Sequence, residues 1–156
     1  MAGGTKEIHF EDHIVQYLTT NENGGVNEYH QVHASEYDKV NCLIPSELIN
    51  FIKTSQPKEY EAIKKDLGEN TDEKIIYTVA KFIKKDKTLK TLRSKLRISG
   101  QRLFLAYFQP ANNKTPEHEE WYKNNRLSIV RQLAYSTKSN NEIDLGFFIN
   151  GIPVAT

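Results

Sequence analysis

The feature that most constrains this chain lies at its end, in EIDLGFFINGIPVAT, where Asn150-Gly151 separates two β-prone runs. Both residues tolerate a positive φ, so the dipeptide is a strong short signal for a tight hairpin turn. Two further segments carry the same texture. RLSIVRQLAYS (126–136) alternates, with Leu127, Ile129 and Leu133 on one face, and RLFLAYF (102–108) is apolar, aromatic and bounded by Gly100 and Pro110. Both read as strands.

The chain before Gly100 reads as helix. Phe10, Ile14 and Leu18 repeat every four residues, which predicts a helix over 6–18 with Thr5 as its N-cap. Ser46 is placed to cap a second helix carrying Leu48, Ile49, Phe51 and Ile52. Gln56-Pro57 ends that helix and starts another, because proline suits a first helical turn but not an interior. A helix over 72–85, capped by Thr71, would bury Ile75, Ile76, Val79, Phe82 and Ile83, and Leu89, Leu92 and Leu96 extend the amphipathic pattern. Thr115-Pro116 starts a short helix through Trp121 and Tyr122, and Gly24-Gly25 marks a turn. The expected fold is α+β with an α/β core, helical over about 5–100 and β-rich over about 101–156.

Composition narrows the function classes. At 156 residues with 38% hydrophobic residues, the chain suits one domain with a real core. No apolar run approaches the roughly 20 residues of a membrane helix, and one cysteine, Cys42, excludes an intrachain disulfide. A reducing, cytoplasmic setting is the expectation. The net charge of +1 conceals an asymmetry: residues 81–102 hold nine cations and one acid, a local +8 that leaves the remainder near −7. Within it Lys84, Lys85, Lys90 and Arg93 are candidates for contact with a phosphate backbone, and a solvated helical face explains them as well.

The position of greatest chemical interest is Asp144, an acid inside a strand between Ile143 and Leu145. Period-two geometry sets it on the face of Gly146, Phe148 and Asn150, with Gly146 leaving room for a metal or a nucleic-acid backbone to approach. An acid beside an apolar run must be paired, solvated or metal-bound. The alternative is an edge-strand aspartate in water. His9/His13 and His30/His33 raise zinc, but neither pair has a cysteine beside it and no HExxH pattern occurs. There is no Gly-rich phosphate loop either.

FEDHIVQYL, LIPSELINFIKTSQPKEYEAI, AYFQPANN, NRLSIVRQLAYS and EIDLGFFINGIPVAT, in this order, resemble the N-terminal region of the restriction (R, motor) subunit of type I restriction–modification enzymes. The resemblance implies a nuclease domain of the PD-(D/E)xK kind, in which a strand aspartate is followed across a hairpin by Glu-x-Lys. Asp144 falls on that aspartate and Asn150-Gly151 on the turn. Glu11 matches a helical acid that supports the metal in related nucleases, and an N-terminal glutamate favoured by the helix dipole explains it equally. Arg131, Gln132 and Tyr135 match an RQ-x-x-Y stretch: Arg131 to hold a phosphate, Tyr135 to pack behind the site, or a salt bridge and a core tyrosine.

The resemblance further implies double-stranded DNA as substrate, Mg²⁺ as cofactor, and methyltransferase and specificity subunits as partners. ATP would bind only in motor domains outside these residues. The chain ends at Thr156, before a Glu-x-Lys appears, so the expectation is a sheet incomplete at its C-terminus and a fragment inactive by itself. Two other readings stand beside this one: a docking module that anchors the motor to the methyltransferase–specificity core, and a degenerate nuclease fold that binds DNA without cutting.

Overall fold

A computed structural model of the chain describes residues 3–111 and 115–156. Its elements are α1 (Gly3–Thr19), β1 (His30–Val32), α2 (Pro45–Ser55), α3 (Pro57–Leu67), α4 (Thr71–Arg93), β2 (Lys95–Ile98), β3 (Gln101–Phe104), α5 (Pro116–Lys123), β4 (Leu127–Ala134), β5 (Glu142–Ile149) and β6 (Ile152–Ala155). Strands β1-β4-β5-β6 form one mixed sheet, with β1 parallel to β4 and the rest antiparallel. A separate antiparallel hairpin joins β2 and β3. The fold is α+β, as the pattern of helices followed by a meander predicts. The parallel strand β1 is the exception, since the helical half supplies it.

Several local expectations are revised. Thr5 lies within α1 rather than at its cap. The buried side of α1 is Glu11 and Val15, with Ile14 and Leu18 half-buried beside them, so of the Phe10–Ile14–Leu18 stripe only Phe10 lies off the packing side. Ile44 occupies the N-cap of α2 with Pro45 in the first turn, and Ser46 Oγ donates instead to Glu36 Oε2 at 2.8 Å. Asn70, not Thr71, precedes α4, and Thr71 donates to the Gly68 carbonyl. That helix runs on to Arg93 but breaks at Lys87, whose φ is 62°. Leu96 belongs to β2 rather than to a helical turn, because Ser99 and Gly100, both at positive φ, close a two-residue hairpin there. The strand expected over 102–108 is shorter, ending at Phe104.

The larger core gathers α2, α3, α4 and the β2–β3 hairpin around Leu48, Phe51, Ile63, Ile75 and Leu103, all fully buried. The buried Gln56 amide ties the α2–α3 junction to β3, donating to Phe104 O at 2.9 Å and accepting from Phe104 N at 2.7 Å. A smaller core of Val32, Ile44, Val130, Leu133 and Phe148 covers one face of the sheet.

The two cores meet at the β5–β6 turn. Asn150 (φ 51°) and Gly151 (φ 78°) make the tight turn that their sequence predicts. Asn150 is fully buried. Its Oδ1 accepts from Arg126 N at 2.7 Å, and its Nδ2 donates to Leu105 O at 2.9 Å and Asn125 Oδ1 at 3.0 Å. Gly151 O accepts from Ile44 N at 2.8 Å, so the turn docks on the start of α2. Gly151→Ala would put a Cβ 2.3 Å from Ile44 O. With the positive φ added, we expect a loss of about 3 kcal/mol or more in urea denaturation. A loss below about 1 kcal/mol would mean that the turn does not hold the two cores together.

Beside this turn Glu47, on the first turn of α2, is nearly buried and accepts two bonds from Arg126, Nε to Oε2 and Nη2 to Oε1, each 3.1 Å. His30 Nε2 lies 2.8 Å from Glu47 Oε2, close enough for charge to matter although it is not aligned as a hydrogen bond. Burial pushes the Glu47 carboxyl up, but His30 and Arg126 outweigh it and bring the group down to about 2. A carboxyl lowered on folding stabilises the fold above its ordinary value of 4.5, and that stabilisation is lost as pH falls toward 2. Glu47→Gln should therefore flatten the acid limb of a stability–pH curve between those values, by on the order of 2–3 kcal/mol. An unchanged acid limb would contradict the account.

Candidate functional site

Helix α1 lies against the sheet, joined to β4 by the Arg131–Asp12 and Gln132–Glu11 contacts. Glu11 comes from the middle of α1 and Asp144 from the start of β5, and both line one cavity of about 400 Å³. Phe10, Ile14, Leu145 and Phe147 supply its apolar walls, and Thr156 lies at its edge.

The strand opposite Asp144 carries a fault in its pleat. Register on either side (Arg131↔Leu145, Leu133↔Ile143) leaves Asp144 opposite Gln132. Gln132 has φ 50°, a left-handed conformation that shifts the alternation of side chains by one. Two consecutive residues of β4 consequently reach the same carboxylate: Arg131 Nη2 lies 3.5 Å, and Gln132 Nε2 3.4 Å, from Glu11 Oε2. Beyond the fault Leu133 turns to the smaller core, where Val130 and Phe148 already lie, and Ile143 packs partly against that core while also lining the cavity.

Asp144 shares its cavity with Leu145 and Phe147, which corrects its expected place on the face of Phe148. The room expected at Gly146 is also absent. That residue is buried, and a Cβ there would meet Leu133 Cδ2 at 2.9 Å and the Phe148 ring at 3.1 Å. Its missing side chain admits core packing, not a ligand.

The two carboxylates differ in kind. Glu11 is 6% exposed and held by the Arg131 and Gln132 contacts, whereas Asp144 is exposed and, among the described residues, forms no ion pair. A hard cation such as Mg²⁺ takes oxygen ligands, with one or two carboxylates and the rest water or phosphate. Asp144, with Glu11 behind it, is a donor set of that chemistry. Among the described residues no group of three or more His, Cys, Asp or Glu gathers at one point.

A family model for the N terminus of type I restriction enzyme R proteins matches residues 11–156. The chain belongs to this family. No curated protein and no solved structure matches it. The matched span opens at Glu11 and takes in Asp144, while Glu7, the third carboxylate lining the cavity, lies before it.

Other predicted positions fare differently. Arg131 Nη1 donates to Asp12 Oδ1 at 2.6 Å in addition to its contact with Glu11, so its charge is spent within the fold, by a helix-to-strand bridge rather than a cross-strand one. Tyr135 is 42% exposed and is not a core residue. Lys90 pairs with Asp86 at 2.8 Å, and the Arg93 guanidinium sits 6.0 Å from the Phe108 ring. His33 Nδ1 accepts from Ser35 N, a local cap, and His30 goes to Glu47. Asn112 and Asn113, at the end of the AYFQPANN stretch, lie outside the described residues. Among the described residues no helix is long and apolar enough to cross a membrane.

Gln132 is the contributor that periodicity misses. Its side chain belongs to the site only because of its own left-handed backbone, which a strand pattern does not signal. Arg131→Met should cost about 2–3 kcal/mol in urea denaturation by leaving the buried Glu11 without its cation. Asp12→Asn, on the half-exposed partner, should cost under about 1 kcal/mol. Equal small effects would show that Arg131 is not committed to the fold.

Proposed function

We propose that this chain is part of the DNA-cleaving domain of a type I R subunit, with Asp144 and Glu11 at the centre that hydrolyses phosphodiester bonds in double-stranded DNA. One observation supports the reading: Glu11 and Asp144, from opposite ends of the chain, line a single cavity.

Within this reading the side chains divide the work. Asp144 presents an exposed carboxylate to the cavity, where it would hold Mg²⁺. When bound, the ion would lower the pKa of a water and offset charge on the phosphate. Glu11 lies deeper, its carboxylate fixed by Arg131 and Gln132, so it meets an incoming cation without reorganising its own side chain. The apolar walls from Phe10, Ile14, Leu145 and Phe147 lower the local dielectric and strengthen both carboxylates' pull on a cation.

The 156-residue chain alone is expected to hold Mg²⁺ weakly and to leave DNA uncut. Its cavity offers Asp144 and Glu7, both exposed and without an ion pair among the described residues, and Glu11, already shared with Arg131. The subunit's full activity would need the ATP-driven motor, and its partners would be the methyltransferase and specificity subunits in the cytoplasm. Asp144→Ala in the full-length subunit, assembled with those partners, should abolish plasmid nicking and leave ATP hydrolysis unchanged. Continued cleavage by that variant would end the assignment.

A further inference from the structure

The first half of α4 and the tip of the β2–β3 hairpin enclose an open groove of about 450 Å³. Lys74, Lys81 and Lys85 line it from the helix and Arg97 from the hairpin, and no acid lies among its lining residues. Positions 74, 78, 81 and 85 share one helical face by their spacing, so the three lysines stand in a row. All are exposed, and among the described residues none of the four cations forms a salt bridge. Phe82 and Ile98 form an apolar floor, and the exposed Tyr77 interrupts the row. Of the four cations expected from sequence to meet a phosphate backbone, only Lys85 lies here. Lys84 is not among the lining residues, and Lys90 and Arg93 lie past the break at Lys87, with partners of their own.

The hairpin itself points the same way. Arg97 is directly opposite Arg102 in the β2–β3 register, and both are exposed on the outer face of the hairpin, where Lys95 also lies. Like charges directly opposed across a pair of strands destabilise it, and neither arginine has an acidic partner among the described residues. An external anion relieves that repulsion.

The length of the row identifies the anion's class. From Lys74 to Lys85 the helix rises about 16 Å, the axial length of roughly five steps of one DNA strand. A single phosphate reaches one or two of these cations, whereas a polyanion reaches all of them at once. We propose that this groove is a second DNA contact, a track for the sugar–phosphate backbone of a duplex that shares no lining residue with the Asp144–Glu11 cavity. It rests on the nuclease reading only for the identity of the polymer as duplex DNA.

The test is fluorescence anisotropy of a labelled duplex with the 156-residue chain, in EDTA so that no cleavage intervenes, over a series of salt concentrations. Replacing Lys74, Lys81, Lys85 and Arg97 with Gln should weaken binding at least tenfold. The slope of log affinity against log salt should shrink by about 3–4, since each phosphate that a cation neutralises adds about 0.9 to it. Lys84→Gln with Lys90→Gln should leave that slope nearly unchanged. If the fourfold variant fails to melt cooperatively, Lys81→Gln with Lys85→Gln should lose about half as much slope. Absence of duplex binding by the parent chain, an unaltered slope in the groove variants, or an equal loss in the Lys84/Lys90 pair would each overturn the proposal. If the groove variants bind normally while Asp144→Ala abolishes cleavage in the full subunit, the groove is wrong and the nuclease reading stands.

Discussion

The fold depends on one buried turn. Asn150 and Gly151 do more than reverse the chain between β5 and β6, because they are driven into the junction where α2, β4 and the segment after β3 converge. A turn is ordinarily solvated, since its backbone groups need water. Here the Asn150 amide replaces that water, bonding three neighbours, and the Gly151 carbonyl takes the Ile44 N–H at the start of α2. The absence of a Cβ lets the two backbones approach that closely. Glu47 and Arg126 add a charged clamp beside the same point. The sheet and the helical core are thereby fixed relative to one another.

Charge follows two different rules in this molecule. Around the sheet, cations are neutralised internally: Arg126 by Glu47, and Arg131 by Asp12 and Glu11. On the outer side of α4 and the β2–β3 hairpin they are left facing solvent, even where two arginines confront each other. A near-zero net charge is the sum of these two behaviours and describes neither. Local pairing, not the total, separates a cation that serves the fold from one available to a partner.

Much of the architecture is legible in the residues. The Asn-Gly turn, the Gln56-Pro57 helix junction and the Thr115-Pro116 helix start are specified by local backbone preferences, and each lies where its chemistry places it. The departures share one cause. Phe10, Leu89 and Leu96 are apolar at helical spacing, but spacing cannot say which stripe finds a partner. In α1 the packed side includes an acid, and in the Leu89–Leu96 stretch the helix gives way to a hairpin. Asp144 and Glu11 stand out one by one, but their place in one cavity is a tertiary fact. Lys81, Lys85 and Arg97 are similarly visible within a charged run, while Lys74, outside it, and the break at Lys87 are not signalled.

The fault at Gln132 also bears on attempts to improve this domain. A non-glycine residue in the left-handed region carries a conformational cost of about 1–3 kcal/mol, and a strand with regular alternation would not bear it. Any procedure that rewards thermal stability alone will favour straightening β4, through a β-branched residue and a restored pleat. Straightening would turn Gln132 away from Glu11 and leave that buried carboxylate with one contact fewer. Thermal robustness and the Gln132–Glu11 contact thus compete for a single backbone angle.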